Sequence, residues 1–371
     1  MHDKLRIQSR RKTTGISAPA REVSVIMPTI SWTGTFERCA RRVLKELDSG
    51  ACSAELVVVF DGPSSTPPAW LDRDDVQVMS TGSQSGPAVA RNLAAASARA
   101  EILFFVDADV ELSEGSIDLV RDRLRADKGL VALFGAYDDE PTSEGTTSHF
   151  RNLLHHHTHV SHPGRAVTFW SGCGAIRANR FRAANGFDGR YRFPSVEDIE
   201  LGSRLTARGD RIELEPALQC KHHKDWTVRS MIHTDIVHRA VPWTRMMMRT
   251  RKIPSTLAVD WRNRACGILT VTAFASVVPA ILFPWAWTVT VACLAAVFFL
   301  NLRFYRLCRR KRGVGFAGAA FGLHLLFFTY ASITFAAVVL HGWFGRSAAP
   351  AERPAAGRIG NRAPLPVPER P

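Results

Sequence analysis

The apolar positions of this chain change their spacing along its length, and the changes mark its elements. Val23–Met27 is a short β-rich run ending at Pro28. Phe36, Ala40, Val43, Leu44 and Leu47 then recur at helical spacing. Leu56–Phe60 predicts a second strand, closed by the turn sequence Asp61-Gly62-Pro63. Ala88–Ala98 reads as an alanine-rich helix. Ile102–Val106 is a continuously apolar strand, the pattern of a strand buried on both faces of a parallel sheet. Ile117, Val120 and Leu124 mark a further helix, and Leu130–Phe134 a further strand. Strand and helix alternate throughout, which predicts an α/β doubly wound sheet. Such sheets bind ligands beyond the carboxyl ends of their strands, where Asp61, Asp107 and Asp109 fall.

The texture changes after about residue 265. Ala265–Phe283 and Trp285–Leu302 are apolar and separated by Pro284. Together they are too long for one span across a core of roughly 30 Å, but suit a hairpin of two. A third run covers about Phe316–Leu340. The pattern divides the chain into a flexible basic tail (1–21), an α/β domain (22–245) and a basic juxtamembrane segment (246–264). About three transmembrane helices (265–341) and a disordered tail rich in Pro, Ala and Arg (342–371) follow. There is no internal repeat.

Charge sharpens this division. The formal net charge is +14, which calls for an anionic partner. Arg245, Arg249, Arg251, Lys252, Arg262 and Arg264 precede the first apolar run, and Arg303, Arg306, Arg309, Arg310, Lys311 and Arg312 fill a gap between later runs. Cations flanking apolar runs set topology and attract anionic lipid headgroups, so membrane lipid is favoured over nucleic acid as partner. The bias places the α/β domain and the Arg303–Arg312 loop in the cytoplasm, with a multi-pass anchor in the inner (plasma) membrane and the C-terminal tail outside. The seven cysteines contain no Cys-x-x-Cys pair, which suits reduced thiols and no zinc site. The basic N-terminus lacks an apolar stretch and is not a secretory signal.

The candidate chemistry lies in the first domain. Asp107-Ala108-Asp109 directly follows an apolar strand. In an extended segment residues two apart point the same way, so both carboxylates face one ion. Oxygen ligands beside a phosphate suit Mg²⁺ or Mn²⁺. Glu197-Asp198-Ile199-Glu200-Leu201 opens a helix stopped near Gly209. Its acids either complement the helix dipole or supply Asp198 as a general base for a hydroxyl acceptor. Gly86-Pro87-Ala88-Val89-Ala90-Arg91-Asn92 is a turn feeding a helix, from which Arg91 reaches a phosphate, an acid of the site, or solvent. Trp170-Ser171-Gly172-Cys173-Gly174-Ala175 permits close backbone approach, as a substrate groove or a bulged strand requires.

These segments, in order, resemble glycosyltransferase family 2. The run is Val23-Ser24-Val25-Ile26-Met27-Pro28-Thr29, Gly86-Pro87-Ala88-x-Ala90-Arg91-Asn92, Val106-Asp107-Ala108-Asp109, Gly172-Cys173-Gly174-Ala175-Ile176, Gly186-Phe187-Asp188 and Glu197-Asp198-Ile199-Glu200-Leu201. The resemblance covers roughly residues 22–245. It implies a GT-A fold with a doubly wound mixed sheet, and inverting transfer from a nucleotide-diphosphate sugar, usually a UDP-sugar. It further implies that Pro28, Thr29 and Asp61 line the nucleoside pocket, that Asp107 and Asp109 serve nucleotide and metal, and that Asp198 is the base. Phe60 stands where many members carry an acid before Asp61.

The remaining candidates are more local. The resemblance implies His222, in Lys221-His222-x-Lys224-x-Trp226, as a third metal ligand, the alternative being a histidine that hydrogen-bonds the acceptor or simply packs. Trp170, Gly172, Cys173 and Glu197 are expected on the acceptor side. Trp243 joins them as an acceptor contact or an interfacial anchor. His155, His156, His157, His159 and His162 read as a polar helix or loop near the substrate rather than as a metal site. The expected partners are a nucleotide-sugar donor, membrane lipids and a lipid or cell-envelope glycan acceptor. A polyprenyl-phosphate acceptor, which needs no base, is the competing enzymatic reading. A non-catalytic membrane scaffold is the competing reading of another class, opposed by the retained Asp107, Asp109 and Asp198.

Overall fold

The computed structural model describes residues 21–50, 52–251 and 260–345. The expected N-terminal tail (apart from Arg21), nearly all of the C-terminal tail and part of the basic juxtamembrane segment lie outside these residues. Chain order is β1 (Val23–Thr29), α1 (Gly34–Ser49), β2 (Ala54–Phe60), β3 (Val76–Ser80), α2 (Pro87–Ser97), β4 (Ile102–Val106), β5 (Val110–Leu112), α3 (Ser116–Ala126), β6 (Leu130–Tyr137), α4 (Thr146–Val160), β7 (Gly164–Ala166), β8 (Cys173–Arg177), α5 (Ala178–Ala183), α6 (Glu197–Ala207), β9 (Arg211–His222), α7 (Val228–His233), α8 (Val241–Thr250), α9 (Trp261–Ala280), α10 (Ala286–Leu300) and α11 (Leu302–Gly345).

The strands form one mixed sheet in the order β3-β2-β1-β4-β8-β6-β9-β5, with β7 also paired to β9. β1 lies parallel between β2 and β4, while β8 runs antiparallel between β4 and β6. Successive side chains of a strand face opposite sides, so β1 feeds two cores. Val25 and Met27 pack with Phe36, Val43 and Val120 of α1 and α3. Ile26 packs with Ala94, Phe181, Leu201 and Leu205 of α2, α5 and α6. The Thr33 hydroxyl caps α1 by accepting the Phe36 N–H at 3.2 Å.

Gly202 sets how closely α6 approaches the sheet. A Cβ there would stand 2.4 Å from the Phe169 nitrogen and 2.6 Å from the Thr168 carbonyl carbon. Backbone cannot rotate out of the way, so Gly202→Ala must push α6 outward. We expect a loss of about 1–3 kcal/mol of stability, read by chemical denaturation, with reduced turnover because Asp198 rides on the same helix. An unchanged denaturation midpoint would contradict this packing.

The last helices meet the domain through α4. Phe150 and Leu153 form a cluster with Phe304, Tyr305, Cys308 and Ala320 of α11. Beside it, buried Asp235 accepts from Arg151 of α4, from Arg239, and from the Tyr330 hydroxyl of α11 at 2.6 Å. The Arg303–Arg312 segment, expected as a loop, is the first part of α11. Phe304, Tyr305 and Cys308 recur at helical spacing and bury one face, leaving the cations on the other. The helix kinks at Arg312 and at Gly313, whose φ is +81°. Over Leu302–Phe344 it is long and apolar enough to cross a membrane, whereas apolar α10 is shorter, at 15 residues.

Candidate functional site

The site assembles where β1 and β4 end and α6 begins. Arg91, a charged residue buried on α2, is its hinge. One arm of its guanidinium donates to Asp107 Oδ1 at 2.6 Å and the other to Glu197 Oε1 at 2.9 Å. Burial alone would lower the pKa of Arg91, but the carboxylates of Asp107 and Glu197 hold it above the ordinary value. Glu197 is buried and also accepts the Ser195 N–H at 2.8 Å. Its expected acceptor role is therefore corrected: it orders Arg91 and the start of α6.

Asp107 and Asp109 do not present two carboxylates side by side. Residues 107–109 form a tight turn, closed by the Val110 N–H on the Asp107 carbonyl at 3.0 Å, and not an extended segment. The two acids consequently meet different partners. Asp107 faces Arg91. Asp109 Oδ2 lies 3.4 Å from His222 Nε2, because β5 and β9 pair with Val110 opposite His222. Burial opposes the Asp109 carboxylate, but hydrogen bonding to His222, and the charges of His222 and Lys224, keep its pKa below the ordinary value. His223 points to Glu111 at 2.6 Å. Among the described residues no group of three or more His, Cys, Asp or Glu side chains converges on a point that could hold a metal. Asp107, with one oxygen unclaimed by Arg91, Asp109 and His222 are by chemistry donors that suit Mn²⁺ together with diphosphate oxygens, but their side chains do not converge as they stand.

Asp198 stands apart from this ion-pair chain. Its Oδ2 accepts the Ser171 N–H at 3.2 Å and the Ser171 hydroxyl at 3.4 Å, and the side chain remains partly accessible. Burial first, and then the Glu197 carboxylate, push its pKa up to about 7. A carboxylate poised there is matched to proton removal near neutral pH. Ser171 escaped the sequence reading as a partner of Asp198, although it lies inside the singled-out Trp170–Ala175 segment.

At the nucleoside end, Asp61 is buried and both its oxygens are engaged. Oδ1 accepts from the Thr81 hydroxyl at 2.9 Å and the Ser85 N–H at 2.8 Å, and Oδ2 accepts the Gly86 N–H at 2.9 Å. Asp61 thus anchors the turn that starts α2. At Gly86 φ is +94°, and a Cβ would meet the Arg192 carbonyl oxygen at 2.4 Å, so glycine is required there. The Thr29 carbonyl accepts the Asp61 N–H at 2.7 Å, placing the end of β1 beside this anchor. Phe60 pairs with Trp32, ring centroids 5.0 Å apart.

An aromatic cluster lines the far side. Tyr137 stacks on His222, centroids 4.4 Å apart, meets His155 at a tilt of 31° with centroids 4.0 Å apart, and meets Trp170 edge-on at 5.0 Å. His159 donates its Nδ1–H to the Gly135 carbonyl at 2.9 Å, and burial holds its pKa down to about 4. The histidine run is a helix, and His155 and His159 turn towards this cluster. Cys173 is fully buried in the sheet core, which corrects its expected acceptor role. Gly172 contributes backbone: its carbonyl accepts the Asp107 N–H at 3.1 Å, and a Cβ would strike the Trp170 ring at 2.7 Å. Trp243 lies on α8, its indole N–H buried without a hydrogen-bond partner among the described residues.

Residues 24–184 match the family described as Glycosyl transferase family 2. The chain carries a family 2 glycosyltransferase domain. The matched residues of this domain include Pro28, Thr29, Asp61, Arg91, Asp107, Asp109 and Trp170–Cys173, while Asp198, His222 and Trp243 lie beyond them. Among solved structures the chain is similar to mannosyltransferase PcManGT from Pyrobaculum calidifontis in complex with GDP-Man and Mn²⁺. The TM-score is 0.53 at 18% identity, over 89% of each chain. A looser likeness is to GalNAc-T7 with UDP, GalNAc and Mn²⁺, with a TM-score of 0.42 at 15% identity, over 56% of this chain and 44% of that one. No curated protein sequence matches the chain. The family match and the mixed sheet agree on a GT-A glycosyltransferase fold.

Proposed function

We propose that this glycosyltransferase is an inverting, divalent-metal-dependent enzyme that moves a sugar from a nucleotide-diphosphate sugar to a hydroxyl acceptor at a membrane surface. The observation that carries the reading is Asp198: a partly accessible carboxylate, aligned by Ser171, with a pKa near 7, beside an acid cluster locked by Arg91. A phosphate acceptor would not need such a base. Pro28, Thr29 and the Asp61 anchor receive the nucleoside, with Trp32 and Phe60 beside them. Trp170 and Trp243 are the acceptor-side candidates. Asp107, Asp109 and His222 are the residues to hold the metal, which when bound neutralises charge on the diphosphate leaving group. The structurally similar mannosyltransferase was solved with GDP-Man and Mn²⁺, so guanosine as well as uridine donors belong in the test. The membrane part of the reading rests on the exposed apolar side chains of the C-terminal helices, among them Ile268, Val278, Ile281, Phe299, Val314 and Trp343. Among the described residues only α11 is long and apolar enough to cross by itself; the reading adds α9 and α10 as a hairpin, for three spans over 265–341 with the catalytic domain on the cation-rich cytoplasmic side.

The test is incubation of the purified full chain with labelled UDP- and GDP-sugars, with and without Mn²⁺, followed by lipid extraction. Mn²⁺-dependent release of nucleotide and label in the extract or glycan fraction is expected. Donors left intact under all conditions would overturn the reading. His222→Ala should need several-fold more Mn²⁺ for half-maximal activity and bind Mn²⁺ more weakly by paramagnetic resonance, whereas His223→Ala, which loses a contact to Glu111, should not. The reverse pattern would remove His222 from the metal set.

A further inference from the structure

The basic first part of α11 is more than a topology signal. Arg303, Arg306 and Arg310 lie one and two turns apart on one helical face, with Arg309 adjoining. Together with His156 and His157 of α4 they line a cleft of about 410 Å³. Elsewhere the arginines of the domain are mostly consumed: Arg73, Arg91, Arg121, Arg151, Arg204 and Arg211 each hold a carboxylate. None of the four arginines of the cleft makes an ion pair or side-chain hydrogen bond among the described residues, although Lys311 and Arg312 beside them do. Like charges one turn apart repel, so a fold that gathers four unpaired guanidinium groups around a concavity leaves a place for an anion.

The position selects the anion. The cleft lies where the apolar run of α10 ends at Leu300 and before the kink at Arg312 and Gly313, from which the apolar part of α11 departs. Ser161, Leu307 and Val160 complete the lining, the last two giving apolar surface next to the cations. We propose that this cleft binds the phosphate group of a membrane lipid. Guanidinium forks match phosphate oxygens in geometry and charge, and the flanking leucine and valine accommodate the start of the acyl region. His157 feels the uncompensated charge: burial first, then His156, Arg262, His162 and Arg303, hold its pKa down to about 4. The proposal rests on the membrane reading above but not on the transfer chemistry, and its test reads binding alone.

The full chain in neutral detergent is titrated with dioctanoyl phosphatidic acid, with dioctanoylglycerol and with inorganic phosphate, and binding is followed by the shift of the thermal midpoint. Phosphatidic acid should bind, and dioctanoylglycerol should not. Arg306→Ala/Arg310→Ala should weaken phosphatidic acid binding about tenfold or more, since each charge-assisted bond lost contributes about 1.5–3 kcal/mol and 1.4 kcal/mol is tenfold. Arg38→Ala/Lys45→Ala removes the same charge from exposed positions of α1 and should leave binding unchanged. Equal weakening by both double variants would reduce the effect to net charge and overturn the cleft. Inorganic phosphate binding as tightly as the lipid would overturn the lipid assignment.

Discussion

Asp198→Asn should lower turnover by roughly 10²–10⁴-fold while donor binding survives, because only proton removal from the acceptor is lost. Two further readouts separate this from general damage. In the unsubstituted enzyme kcat/KM should fall as pH drops below about 7, where Asp198 gains its proton, and that inflection should be missing from the residual activity of the variant. Stability should move the other way. The folded-state pKa near 7 exceeds the unfolded value of about 3.9. Between the two, the folded chain keeps a proton that the unfolded chain has released. The contribution of this group to stability is therefore fully present below the unfolded pKa and is lost as pH rises through 7. At pH 8 Asp198→Asn should melt higher than the parent, and the gap should close towards pH 4. Near-normal turnover, with transfer shown to be rate-limiting, would end the assignment.

Arg91→Met should be the most destabilising change at the site. It strands Glu197 in the interior and releases Asp107. Breaking a buried pair from one side costs about 3–5 kcal/mol, measurable by chemical denaturation. Turnover should fall at least about 10²-fold, the scale on which small misplacements of reacting groups act. Arg91→Lys keeps the charge but not the fork that spans two carboxylates, so it should regain stability more than rate. Arg91→Met/Glu197→Gln removes the stranded charge and should behave likewise. If that double variant regained rate as fully as stability, Arg91 would only neutralise an acid, and its alignment of Asp107 would be refuted.

The sheet was legible where burial is continuous. Ile102–Val106 in the sequence is β4 to the residue, and Ala88–Ala98 is α2 displaced by one. Legibility fell where one residue type serves two purposes. Glu197 and Asp198 are adjacent acids at a helix start, and nothing in their spacing tells which is turned inward to Arg91 and which towards Ser171. Cys173 sits in a glycine-rich segment that suits a groove, yet strand alternation turns it into the core. The extended geometry assumed for Asp107–Asp109 failed because the chain must turn there to send β5 along β9. Arg303–Arg312 looked like a loop because its charges masked the apolar spacing of Phe304, Tyr305 and Cys308. The cluster of Tyr137, His155, Trp170 and His222 draws on four separate elements, and local pattern carries no record of such meetings.

The Arg151–Asp235–Tyr330 contact also bears on biosynthesis. The ribosome delivers α4 and residues 228–250 well before it has made α11. Until residue 330 emerges, Asp235 lacks its tyrosine partner, and Phe150 and Leu153 lack the aromatic face that covers them. The nascent catalytic domain therefore matures last at the surface turned towards the late helices, so completion of the domain waits on their synthesis.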